Sequence, residues 1–170
     1  MNRKYEFTGE EKLFYGRTLK RIKAKISFGN VVQGEVGGWI EKEENLSEYD
    51  DAEVYGNAEV YGNAEVYGNA EVYGNAEVYG NAEVCGDAEV CGDAWVIKTR
   101  HTISFTKVGS RNDTLTAFRT KTGFSIKIGC FLGSLELFLE KVQETHGDNQ
   151  FAKEYRLIAE VIKARFEVEE

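Results

Sequence analysis

The sequence predicts a mainly β protein with an α+β tail, built around a short parallel β-solenoid. Three observations carry that prediction. A six-residue repeat, Ala-Glu-Val-Tyr-Gly-Asn, runs almost without variation from Ala52 to Val96. That period is too short for a helical hairpin or a propeller blade, and leaves one short strand and one corner per repeat. The segment before it alternates apolar with basic residues, and after Val96 the period changes to longer alternating runs followed by two helical stripes. The chain therefore divides into an N-terminal β cap with a first irregular coil (1–50), the repeat (51–97) and a C-terminal α+β domain (98–170).

In the cap, Ile22, Ala24, Ile26 and Phe28 alternate with Lys23, Lys25 and Ser27, as in a half-buried strand with a basic outer face. Leu13 and Tyr15 offer a partner strand across Gly16. Gly37-Gly38-Trp39-Ile40 leads into the first coil, with Trp39 placed to close the open end of the solenoid. Some such lid is required, because an uncovered coil exposes an edge of unpaired backbone.

In the repeat, an aliphatic residue is followed at the fifth position by a small one, which resembles the hexapeptide signature of left-handed parallel β-helices. In that architecture three hexads make one triangular coil and every third hexad stacks. Val54, Val72 and Val90 then form one buried ladder, Val60, Val78 and Val96 a second, and Val66 and Val84 a third. At ~4.8 Å per rung the regular part stands roughly 12 Å tall, about two and a half coils. Gly with Asn or Asp supplies the corners, where positive φ costs little. Glu and Tyr face outward, with Tyr55 above Tyr73, Tyr61 above Tyr79, and Glu53, Glu71 and Glu89 in an acidic ladder. Tyr55, Tyr61, Tyr67, Tyr73 and Tyr79 are candidate interface residues, because ordered aromatic stripes give large contact area at low entropic cost. Homo-oligomerisation through these walls is the preferred version; a solvated wall with aromatic rungs is the plainer one.

In the C-terminal domain, Ile103 and Phe105 mark one strand, Thr114 to Thr120 a second, and Phe124, Ile126, Ile128 and Cys130 a third, with a hairpin turn at Thr120-Lys121-Thr122-Gly123. Ser134 caps a helix with Leu135, Phe138, Leu139 and Val142 on one stripe, ending at Gly147. A second helix follows Asp148 and Asn149, with Phe151, Tyr155, Ile158, Ile162 and Phe166 inward. The result is an antiparallel sheet covered on one face by two helices.

The net charge of −8 hides a segregation. Residues 1–27 carry net +5, 28–97 net −15, 98–130 net +6 and 131–170 net −4. The basic flanks have two readings: they dock on the acidic solenoid or on neighbouring subunits, or they build an anion-binding surface. For the second flank, with Lys98, Arg100, Lys107, Arg111, Arg119, Lys121 and Lys127, anion binding is favoured. Its loops carry the reason. Arg111 can grip a phosphate or carboxylate in a fork, His146 can donate to an anion or stack on a base, and Asn112 or Asn149 can read a polar ring edge. Arg111, Asn112, Asp113, Lys127, His146 and Asn149 are the candidate ligand-binding residues. The competing structural roles are an Asx-type turn at Ser110 to Asp113 and a helix-terminal role for His146.

Gly37 to Glu41, Asn45-Leu46-Ser47, the Gly-Asn-Ala-x-Val hexads, Gly-Ser-Arg-Asn-Asp and Thr-His-Gly-Asp-Asn together resemble a family of small uncharacterised proteins of bacteriophages and prophages. The resemblance spans nearly the whole chain. It implies a viral or prophage origin and an accessory role, and transfers no activity. The expected function is non-enzymatic: binding of a small anionic, nucleotide-like ligand, as a sponge for an antiviral defence signal. The alternatives are a decoy or inhibitor that engages a host protein through its Glu and Tyr walls, and a structural scaffold.

Catalysis finds little support. The solenoid is similar to that of hexapeptide acyltransferases, but His101 and His146 lie outside the repeat and no loop interrupts it. Cys130 with His146 could form a dyad, although a buried strand-end thiol is commoner. Cys85, Cys91 and Cys130 have neither disulfide-framework nor zinc spacing. No catalytic residue, metal or cofactor is expected, nor a nucleic-acid partner. With no apolar run of membrane length and no signal segment, the expected location is the cytoplasm of a bacterial host.

Overall fold

A computed structural model describes residues 2–167. Strands β1 (Tyr5–Phe14) and β2 (Arg17–Ala24) form an antiparallel hairpin, and β3 (Val36–Ile40) pairs with β2 before serving as the first rung of a parallel wall. The repeat supplies β4 (Glu53–Val54), β5 (Glu59–Val60), β6 (Glu65–Val66), β7 (Glu71–Val72), β8 (Glu77–Asn81), β9 (Glu83–Val84), β10 (Glu89–Val90) and β11 (Trp95–Lys98). These stack every third hexad into walls ordered β3-β5-β8-β11, β4-β7-β10 and β6-β9, the last with Leu46 bridged to Val66. The solenoid makes about three turns.

The predicted ladders are all present. Val54–Val72–Val90, Val60–Val78–Val96 and Val66–Val84 line the interior, each side chain almost wholly buried. Each contributes about 1.5–3 kcal/mol by leaving water. The corners need glycine for space as well as for φ. At Gly74 a Cβ would lie 2.9 Å from the backbone nitrogen of Gly92 in the next coil.

Both ends of the coil carry backbone groups with no next rung, and side chains satisfy them. At the lower end the Lys4 ammonium donates to the carbonyls of Asp50 and Ala52, and the Asn45 amide to those of Gly62 and Ala64. At the upper end the amides of Glu83, Glu89 and Ile97 donate to Thr99 Oγ1, Thr116 Oγ1 and His101 Nδ1. His101 therefore uses Nδ1 as an acceptor, which requires the neutral imidazole with its proton on Nε2.

The lower lid differs from expectation. Ile40, not Trp39, sits beneath Val60 in the interior, because the register pairs Trp39 with Glu59 and a one-residue slip would reverse every side chain. Trp39 faces outward with the Lys12 ammonium 4.5 Å and the Arg21 guanidinium 5.1 Å from its ring. Tyr5, Ile22, Ile40 and Leu46 close the core instead. The strand through Ile22 ends at Ala24, leaving Ile26 exposed, and the tip of its partner strand holds Leu13 and Tyr15 in solvent.

After the repeat, β12 (Thr102–Val108), β13 (Asp113–Thr120), β14 (Gly123–Ile128) and β15 (Phe131–Gly133) form an antiparallel sheet in chain order; β15 was not anticipated. Helices α1 (Leu135–His146) and α2 (Gln150–Phe166) follow, capped by Ser134 and Asn149 as their side chains predict. On β13, Leu115 and Ala117 join the core beneath the helices, whereas Phe118 joins the solenoid core. The sheet is thus the upper lid, with Phe118 as its plug. Lys12, Lys121 and Lys127 pair with Glu59, Glu77 and Glu89, so part of each basic flank is laid on the acidic ladders.

Candidate functional site

The loop between β12 and β13, the turn between β14 and β15 and the end of α1 meet at a cleft of about 260 Å³. Arg111 and Asp113 enter from the first, Cys130 and Phe131 from the second, and Lys141, Thr145 and His146 from the helix; Phe138 and Tyr155 form its floor. The loop is held by a close approach. A Cβ at Gly109 would lie 1.7 Å from the Tyr155 hydroxyl, so only glycine fits there. The Gly109 N–H donates to Glu154 at 3.2 Å. Burial, with the neighbouring Glu154 carboxylate, pushes the Tyr155 phenol up, so at neutral pH it remains a hydroxyl.

Aromatic rings make the floor rigid. Phe138 meets Tyr155 edge-on at 5.6 Å and tilts against Phe131 at 5.8 Å. His146 packs 5.7 Å from both Phe151 and Tyr155, which sets the plane of its imidazole. Arg111 is exposed and, among the described residues, makes no hydrogen bond or ion pair. The cleft therefore combines an apolar aromatic base with Arg111, Lys141 and His146 at its rim, Lys141 being paired with Glu144 at 2.8 Å and the carboxylates of Asp113 and Glu154 lying close by. Such an arrangement has the chemistry to grip an anion at its rim and to pack a flat ring below.

Of the six predicted ligand residues, Arg111, Asp113 and His146 line this cleft. Asn112 sits beside it at φ +50 in the turn, and its backbone N–H reaches the Gly109 carbonyl at 3.5 Å. Asn149 is a helix cap: its side-chain oxygen accepts the N–H groups of Phe151 and Ala152, both at 3.0 Å. Lys127 lies on the opposite face of the sheet's business, pairing with Glu89 at 3.1 Å and donating to the Gly129 carbonyl. Its charge is drawn to the acidic ladder. Lys141, Phe131 and Tyr155 were missed as site residues, because on a helix stripe or strand each reads as surface or core.

The candidate interface tyrosines separate by wall. Tyr55–Tyr73 and Tyr61–Tyr79 stack at 4.8 Å, as the repeat predicts. Tyr61 is only 5% exposed, covered by Phe14 and Arg17 of the hairpin, so the chain itself occupies that surface. Tyr67, on the third wall, stays partly open and donates to Glu83 at 3.0 Å. Among the described residues no group of three His, Cys, Asp or Glu side chains is arranged to hold a metal, and no helix is long and apolar enough to cross a membrane.

The chain matches no protein-family model, and no curated protein is significantly similar to it. Its own residues are what a functional reading has to rest on.

Proposed function

We propose that the protein is a non-catalytic binder of a small anionic, nucleotide-like ligand, held in the C-terminal cleft. The observation that carries this reading is Arg111, exposed and without a partner among the described residues, at the rim of an aromatic-floored cleft that also holds Lys141 and His146. Arg111 would take the phosphate in a bidentate fork, with a base or ribose against Phe131, Tyr155 and the imidazole. Phage or prophage origin, a coil of left-handed sense, a cytoplasmic setting and assembly into homo-oligomers belong to the same proposal. In that setting a stoichiometric binder would work by sequestering a defence signal.

Isothermal titration with ADP-ribose and with a cyclic dinucleotide tests the reading. A charge-assisted hydrogen bond is worth about 1.5–3 kcal/mol, so Arg111→Ala is expected to weaken binding about 10- to 100-fold. Failure of both probes to bind, or equal affinity in Arg111→Ala, contradicts it.

One observation favours a second reading, a decoy for a host protein. On the third wall Glu65 and Glu83 remain exposed beside Tyr67, whereas Glu53 and Glu59 are buried and Glu77 and Glu89 are paired with lysines. An acidic decoy would then act through that wall alone. Replacing Glu65 and Glu83 by Gln would abolish such activity and leave ligand binding unchanged.

A further inference from the structure

A larger concavity, about 850 Å³, lies on the first wall where all three parts of the chain meet. Its floor is the edge of the Tyr61–Tyr79 stack, continued by Trp95, whose ring meets that of Tyr79 edge-on at 6.1 Å. The β1–β2 hairpin overhangs one side with Tyr15, and the β13–β14 turn brings Lys121 to the other.

Its charges differ in kind from those of the cleft. Arg17 is held by Glu41 through two bonds of 2.9 and 3.0 Å, and Lys121 by Glu77 at 2.8 Å. The carboxylates are fixed in turn: the Gly62 N–H donates to Glu41 at 2.7 Å. Partial burial raises Glu41, but that N–H and Arg17 outweigh it and hold the group below the ordinary carboxylate range. An incoming anion would therefore meet Glu41 and Glu77 beside every cation it approached except Lys42. A neutral polyhydroxyl compound meets no such conflict. Its hydroxyls can donate to the carboxylates and accept from Arg17, Lys121 and the amide ladder of Asn63 and Asn81, joined at 3.2 Å.

The hairpin tip supplies a second, independent observation. Tyr15 has φ +47 and Gly16 φ +77, the two left-handed positions of a tight hairpin turn whose flanking pair is Phe14 and Arg17. Asn is the residue that adopts the first of these cheaply; a bulky aromatic there is strained. Tyr15 meets the ring of Phe14 edge-on at 4.6 Å and is nevertheless 81% exposed. What the strain achieves is an open aromatic face over the groove, of the kind on which the C–H face of a sugar ring packs.

We propose that this groove is a second binding site, taking the pyranose rings of a neutral oligosaccharide. The inference stands apart from the anion site and survives its failure. The experiment uses the full chain in a Trp39→Phe background, so that Trp95 is the sole indole, and follows its fluorescence on titration with chitohexaose, cellohexaose, maltohexaose and mannohexaose. Saturable binding of at least one is expected, weakened at least tenfold by Tyr15→Asn and by Asn81→Ala and unchanged by Arg111→Ala. Because Asn suits the turn, Tyr15→Asn should melt no lower than its parent, which separates a lost contact from a lost fold. No response to any of the four, or affinity within twofold in Tyr15→Asn, overturns the proposal.

Discussion

Single side chains at the two ends of the solenoid do work that the repeat cannot do for itself. Phe118 is 1% exposed and plugs the upper opening, so Phe118→Ala should destabilise the chain by about 3–5 kcal/mol. Thr116→Val, which leaves the Glu89 amide without its acceptor, should cost about 1–3 kcal/mol. Urea denaturation gives both values, and equal midpoints for wild type and Phe118→Ala would show that the sheet is not a lid. At the lower end Lys4 is held down to about 8, chiefly by burial, with Asp50 pulling the other way. A folded value below the unfolded 10.5 means that the native chain releases this proton first, so the stability due to Lys4 rises between about pH 8 and 10.5. The ladder phenols Tyr55, Tyr61 and Tyr73 are pushed up by burial, and their contribution is instead lost as pH climbs past 10. Urea midpoints at pH 7.5 and 9.5 isolate the lysine: the wild type should gain relative to Lys4→Met, and a constant difference would contradict the assignment.

The repeat strands are interchangeable, whereas the pieces that close them are not. The lower lid contacts the coil through Glu53 to Gly68, the upper lid through Glu77 to Val96. Hexads inserted after Asn69 therefore leave both sets of contacts whole. Eighteen added residues lengthen the coil by one rung and keep the hairpin on the same wall as Lys121. Six added residues turn one lid by a wall relative to the other and take the groove apart. Both insertions should fold by circular dichroism, but only the eighteen-residue one should retain any response of Trp95 to ligand. The same contrast explains what was legible in the sequence. Val, Tyr and Glu recur every sixth residue, so a period alone places them, and Ser134, Gly147 and Asn149 are terminus signals with a local mechanism. Trp39, Ile40 and Phe118 sit where two irregular segments meet the coil, and their side is set by register with a distant strand. The cleft was half legible for that reason: Arg111 and His146 stand in polar loops, while Lys141 and Tyr155 are hidden in helical stripes.

Taken whole, the molecule is a coil closed in part by basic side chains laid on acidic ladders. Lys12, Lys121 and Lys127 meet carboxylates of the walls, and Arg119 donates to the Phe166 carbonyl at 2.7 Å while lying over its ring. Part of the basic flank predicted to bind an anion is thus a clamp, and the cleft around Arg111 is where a guanidinium without a partner among the described residues stands within reach of an aromatic floor. Under the proposed function this cleft holds a small anionic ligand. Native mass spectrometry of the full chain, before and after incubation with a mixture of cyclic dinucleotides and ADP-ribose, tests it most directly and counts subunits as well. A discrete mass increase is expected in the wild type and its absence in Arg111→Ala. An unchanged mass with every compound, or the same increase in Arg111→Ala, would contradict it.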